Sequence, residues 1–225
     1  MATDLETDTG AGRYVERNNR RTRWFHAGTY LLVLLLLATG WWLLAGREGQ
    51  PSPLARITGQ ADTSLHQYAG WALLGLAALG AALGRRAVRT LLTDSVRLGR
   101  RDMRWFARWP VAVFTGRFPR HDGHFDPGQR IMNLAVLVLL LILAGTGVCL
   151  TQIDGGAAFV WLDQLHKWAT YAITPILLGH ILVASGVLPG YRGAWRAMHL
   201  GGRLPAHVAR RLWPGWLDRN QGPRK

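Results

Sequence analysis

The chain has 225 residues, and its 27 lysines and arginines against 13 acidic residues give a formal charge of +14 at pH 7. In a soluble protein that excess would point to nucleic acid, but here arginine is concentrated in connectors between four long uncharged runs, which points to a phospholipid surface and away from nucleic acid. The length and the four runs fit one membrane domain rather than two soluble ones.

Residues 1–23 form a polar N-terminal segment that begins acidic and ends with Arg13, Arg17, Arg20, Arg21 and Arg23. The first span is predicted at 24–46, with Trp24, Trp41 and Trp42 at its ends, where indole rings favour the membrane–water interface. Its apolar run exceeds a typical signal-peptide core, so it is expected to be retained. A connector with two prolines leads to the second span, 65–84. The next connector, Arg85 to Arg130, holds 11 arginines. In its first half Val88, Leu91, Leu92 and Val96 recur at near-helical spacing among them, which predicts a helix lying in the interface plane. The third span is predicted at 131–151, and the fourth, at 161–189, follows a segment without lysine or arginine. Residues 191–225 form a basic tail.

Counted along the connectors, lysine and arginine number 5, 2, 11, 0 and 8. That alternation puts the N-terminus, the long connector and the C-terminus in the cytoplasm. The expected fold is an all-α membrane protein: a four-helix transmembrane bundle over 24–190, multi-pass in the bacterial inner membrane, with both termini cytoplasmic.

The fourth span carries two histidines at its ends. From Trp168 to Gly190 there is no formal charge, and His166 and His180 stand 14 residues apart. That spacing is within about 40° of whole turns and about 21 Å along the axis, so one helix offers an imidazole near each side of the membrane. Ionisable groups in a span are costly unless paired, and each calls for a partner at its own depth. In the orientation above His66 lies at the outer start of the second span and His26 at the cytoplasmic start of the first. The depth-matched pairs are His66 with His166 and His26 with His180.

Two imidazole pairs on facing helices are what two six-coordinate b haems need, and ligation would offset the cost of burying the rings. The single Cys149 allows no internal disulfide, iron–sulfur cluster or covalent CxxCH haem, so any haem is held without a covalent bond. Gly28, Gly70, Gly145, Gly147 and Gly179 offer room for a porphyrin or serve close helix packing. Pro175 is placed to free a carbonyl and bend its helix. His121, His124, His199 and His207 lie in basic segments and read as surface residues. The competing class is a histidine-lined metal transporter or a cofactor-free anchor. No Asp or Glu falls within the four uncharged runs, which argues against a cation path.

The strings RWFH (Arg23 to His26), LHQYAG (Leu65 to Gly70), FDPGQR (Phe125 to Arg130), LHKWATY (Leu165 to Tyr171), GH (Gly179, His180) and GAWRAMHLGGRLPAHVARRLWPGW (Gly193 to Trp216) together resemble the cytochrome b (gamma) subunit of membrane-bound formate dehydrogenases. That subunit belongs to a wider family of di-haem b cytochromes that also serves nickel–iron hydrogenases, and the resemblance runs from Arg23 to Trp216. It implies two haem b, with His66 and His166 as axial ligands of the outer iron and His26 and His180 of the inner one. It also implies a quinone pocket, for menaquinone or ubiquinone, using His180, Asp126, Gly128 and Gln129. The implied partners are an iron–sulfur electron-transfer subunit and a catalytic oxidoreductase subunit, of formate dehydrogenase or alternatively of a hydrogenase or another molybdenum-type enzyme. The chain itself would carry electrons and break no substrate bond.

Two departures stand out. Asp126 replaces the family's asparagine and, unlike it, can accept a proton; Ala27 replaces a tryptophan after the first histidine. From the residues alone, Asp126, Pro127 and Gly128 also read as a helix start, with Asp126 as N-cap and Pro127 at the first helical position. Arg130 can offset an anionic intermediate or a propionate.

Overall fold

The apolar runs fix where the long helices lie. The computed structural model describes residues 13–46 and 50–221. The strand β1 (Tyr14–Glu16) precedes α1 (Arg20–Leu44), α2 (Pro53–Thr58), α3 (Asp62–Leu83), α4 (Arg85–Ser95), α5 (Arg100–Thr115), α6 (Pro127–Leu150) and α7 (Gly156–Ala184). After a 3-10 turn at Pro189–Tyr191 come α8 (Arg196–His199), the strand β2 (Arg203–Pro205), α9 (Ala206–Leu212) and α10 (Pro214–Gln221).

Among the described residues α1, α6 and α7 are each long and apolar enough to cross a membrane. The helix α3 meets that standard only together with α4, from which it is bent by 97°. All four long helices begin three to five residues before the predicted spans, and in α1 and α6 a side-chain cap ahead of the apolar run accounts for the extension. Asn19 Oδ1 accepts from the Thr22 amide at 2.9 Å, and Asp126 Oδ1 from the Gln129 amide at 2.8 Å. At its far end α7 stops short of the prediction, since Gly186 takes a left-handed φ of 73°. Pro175 does not interrupt α7, although the Tyr171 carbonyl loses its usual donor there.

The chain divides into two compact units. One comprises Trp24–Val96 and Ile131–His180 and so holds most of α1, α3, α6 and α7. Only 11%, 6% and 17% of the most apolar stretches of α1, α6 and α7 are buried, so their leucines and tryptophans face outward, as lipid requires and water would not tolerate. Within it α1 and α3 approach closely, and a side chain at Gly80 would collide with the Phe25 ring. Ser52 joins two helix starts: its hydroxyl accepts from the Ala55 amide at 3.1 Å and donates to Asp62 at 2.5 Å.

The other unit gathers the described parts of Met1–Arg23, Arg97–Arg130 and Ile181–Lys225. Its core is Val113, Tyr191, Ala197, Leu204, Val208, Ala209, Leu212, Trp213, Trp216 and Leu217. The segment expected as a basic tail therefore supplies most of a core. In α9 Ala206, Val208, Ala209 and Leu212 are buried while Arg210 lies outside, an interleaving that averages to a basic composition. An all-helical expectation also misses the β1–β2 ribbon, antiparallel with Val15 opposite Leu204.

Candidate functional site

All four predicted histidines belong to the unit built from the long helices, and they meet in two pairs. The His66 ring on α3 faces the His166 ring on α7, with centroids 6.2 Å apart and planes at 75°. The His26 ring on α1 faces the His180 ring on α7, with centroids 6.4 Å apart and planes at 50°. Two imidazoles bound trans to one metal, each with a nitrogen about 2 Å from it, have centroids about 6 Å apart. Both pairs match that span and so have the separation that one intervening iron needs.

The hydrogen bonding of the first pair suits one tautomer, with each threonine proton on its own helix. Thr39 on α1 donates its hydroxyl proton to the Leu35 carbonyl at 2.9 Å, so toward His66 Nδ1, at 2.8 Å, its oxygen can only accept. Thr146 on α6 repeats this, donating to the Ile142 carbonyl at 2.7 Å and meeting His166 Nδ1 at 2.8 Å. Both rings therefore carry their proton on Nδ1 and keep the Nε2 lone pair for a metal. Room for a macrocycle exists as well: a Cβ at Gly70 or Gly179 would meet no atom within 4 Å. Among the described residues no three of His, Cys, Asp or Glu converge on one point. Each site thus offers two nitrogens, a donor set suited to a metal whose other ligands come from a porphyrin. The residues present fit haem b.

Neither threonine was flagged by the sequence, although a signal exists in retrospect: each is followed by glycine, as Thr39-Gly40 and Thr146-Gly147. A Cβ at Gly40 would sit 3.2 Å from His66 Cε1, and one at Gly147 3.5 Å from His166 Cε1.

Asp126, Gly128 and Gln129 lie in the other unit or at the first turn of α6 that it includes. Asp126 is buried and caps α6, and its carboxyl is pushed up to about 6 by desolvation, against which the Gln129 and Gly128 amides and the Arg130 and Arg17 charges pull only in part. The room made by Gly128 is taken by the Trp105 indole, which a Cβ would approach to 2.9 Å. Gln129 Oε1 accepts from Trp213 Nε1 at 3.1 Å, which leaves its amide nitrogen available to a ligand. Arg130 is committed to the protein, donating to the Arg97 carbonyl at 2.7 Å and the Phe125 carbonyl at 3.1 Å and pairing with Asp102 at 3.3 Å. The buried Tyr191 phenol is pushed up, first by burial and then by the Asp126 charge, and its oxygen accepts from Trp109 Nε1 at 3.0 Å.

Arg17 ties this unit together. Its guanidinium lies over Trp213 and Trp216, 4.9 and 4.5 Å from the ring centroids, and donates to the His124 carbonyl at 2.8 Å. Of the four histidines expected at the surface, His199 and His207 are exposed, while His121 is buried with Nε2 2.9 Å from the Leu212 carbonyl. A histidine can settle under α9 because that backbone supplies an acceptor for its ring N–H.

The raised Asp126 carboxyl has a stability consequence. A carboxyl whose folded pKa lies above its unfolded value adds stability at low pH and loses it as pH rises, here between 3.8 and about 6. Asp126→Asn keeps the capping oxygen and removes the charge. The variant should therefore exceed the wild type at pH 8 by about 3 kcal/mol, with the gain vanishing near pH 4. Thermal midpoints of both proteins in detergent between pH 4 and 8 measure it; a difference that does not change with pH counts against the buried carboxylate.

A family model described as prokaryotic cytochrome b561 matches residues 17–201 and so includes all four paired histidines. No curated protein matches the chain. The apolar helices, the porphyrin-compatible histidine pairs and a family match over most of the sequence agree, and the chain belongs to the prokaryotic cytochrome b561 family of multi-pass membrane proteins that bind haem b and transfer electrons.

Proposed function

We propose that this chain is the membrane subunit of a respiratory oxidoreductase complex, holding two haem b and passing electrons from an iron–sulfur partner subunit to quinone. The observation that carries the reading is the presence of two separate imidazole pairs with one member each on α7, 14 residues apart. In this reading the chain is a four-span bundle over residues 24–190 in the bacterial inner membrane, with segments 1–23 and 191–225 in the cytoplasm. The arginine alternation supports that orientation. With α3 across the bilayer, the 97° turn lays α4 along the membrane surface, where Arg85, Arg86 and Arg89 meet anionic headgroups.

His66 and His166 hold the outer haem and His26 and His180 the inner one. Haem b supplies one-electron carriage between the two membrane faces. The apolar exterior of the helices keeps water from the interior, and the neutral Nδ1–H tautomers of His66 and His166 let those two imidazoles lie there without net charge. The resemblance assigns quinone contacts to Asp126, Gly128 and Gln129, where the Gln129 amide can donate to a quinone carbonyl and Asp126 can exchange a proton. Electrons moving inward, with protons taken from the cytoplasm, make the process electrogenic by about 2.3 kcal/mol per charge per 100 mV. The donor favoured by the resemblance is a formate dehydrogenase. Ala27 and the tail LWPGW (Leu212 to Trp216), which depart from that subunit's pattern, leave a second reading with the same wire and a hydrogenase or other molybdenum-type enzyme as donor.

A dithionite-reduced minus oxidised spectrum of the purified chain should show low-spin b-type bands, with two haems per chain by pyridine haemochrome. A colourless preparation from haem-replete cells would end the proposal. Isolation of the complex from its native membrane, followed by assay with formate and with hydrogen, separates the two donors.

A further inference from the structure

The two threonines that meet the outer imidazole pair do more than satisfy a ring nitrogen. Thr39 and Thr146 are buried, at 3% and 5% exposure, so no bulk water can replace them. Each spends its own proton on its helix, to Leu35 and Ile142, and aims its remaining oxygen capacity at Nδ1 from 2.8 Å. Threonines in apolar helices commonly bond back to the preceding turn and serve only themselves. That habit does not explain why two of them, on different helices, converge on the two rings of one pair. The glycine after each threonine lets the Cε1 edge come close, so α1 orients the α3 histidine and α6 orients the α7 histidine.

An imidazole that hands its Nδ1 proton to an acceptor is more basic at Nε2, and a more basic axial nitrogen favours the ferric over the ferrous state. We propose that Thr39 and Thr146 are positioning residues that lower the reduction potential of the haem held by His66 and His166 and hold its axial ring planes close to perpendicular. The proposal rests on the di-haem reading above. The 75° between these planes, against 50° in the other pair, adds a spectroscopic label. Near-perpendicular axial planes give the more anisotropic low-spin ferric signal, so the two haems should be separable by electron paramagnetic resonance.

The test is a potentiometric titration with low-temperature resonance spectra on the full haem-loaded chain. Thr146→Val keeps the shape and removes the acceptor. It should raise one potential and leave the other unchanged, shifting the reduced-to-oxidised ratio of that haem by about tenfold at a fixed ambient potential, about 59 mV for one electron. The more anisotropic signal should move with it. Thr146→Ser restores the oxygen and should restore both readouts. Unchanged potentials and spectra in Thr146→Val overturn the proposal, and so does a serine variant that behaves like valine, since serine keeps the accepting oxygen. Should valine lose the haem outright, its retention by serine supports the acceptor role, and its loss from serine too overturns it. A wild-type chain without haem, or a His66→Ala variant that keeps both, overturns the di-haem reading instead and takes this proposal with it.

Discussion

If the chain holds two haems as proposed, replacing His166 by alanine should remove one of them and leave the other in place. Pyridine haemochrome then reads half the wild-type haem content, and the more anisotropic ferric signal disappears while the second remains. His166 stands 6.2 Å from His66 by ring centroid and is fixed by Thr146, so its loss leaves His66 with no opposing nitrogen and the α6 acceptor with no ring to hold. With one imidazole removed, the site would offer a haem half the protein ligation and only one of the two strong-field nitrogens that favour low spin. His66→Ala should give the same spectrum, because both substitutions destroy one site. His180→Ala should remove the other haem, and His199→Ala, at the exposed end of α8, should remove neither. Loss of both haems on replacing His166 would mean that the pairs are not independent; loss of neither would remove the ring from iron ligation.

Arg130→Met should destabilise the arginine-rich unit by about 3–5 kcal/mol, the cost of breaking a buried ion pair by removing one partner. The Arg130 and Asp102 side chains are only 7% and 9% exposed, and their ion pair is joined by hydrogen bonds from Arg130 to two carbonyls and from the Gly99 amide to Asp102. Without the guanidinium, Asp102 keeps a buried charge answered mainly by one amide, and the Arg97 and Phe125 carbonyls lose their donor. The packing around it is tight, since a side chain at Gly123 would collide with the guanidinium. Arg101 and Arg120, paired with Asp122 and Asp218 at exposed positions, are the controls, each worth about 0–1 kcal/mol on truncation. Limited proteolysis between α5 and α6 with thermal midpoints in detergent measures the difference. Equal effects for Arg130 and Arg101 would show that the buried pair contributes nothing special.

The membrane helices and the histidine pairs were legible because each depends on a strong one-dimensional signal. Uninterrupted apolar length marks a span, and a ring placed 14 residues from another on one helix has a depth that can be matched elsewhere. Thr39 and Thr146 were not legible, since a threonine in an apolar helix has the same local pattern whether or not an imidazole lies opposite. The turn at Asp126 was legible as a cap, but Gly128 receives the Trp105 indole and Arg130 is spent on Asp102, facts set by α5, which the string FDPGQR does not contain. The β1–β2 ribbon has strands of three residues, too short for an alternation to register. The core around Leu204 and Leu217 was hidden because its apolar positions alternate with arginine and glycine.

The ribbon joins Tyr14–Glu16 to Arg203–Pro205, so one strand is synthesised well before the other, with all four long helices between them. The first strand must wait while every intervening helix is made, its edge shielded from stray pairing only by its shortness and by flanking arginines. Val15 gains its partner Leu204 only when the second strand has left the ribosome. The ribbon therefore closes only after all four long helices have been made, and a chain that stopped before Arg203 would leave Val15 without its cross-strand neighbour.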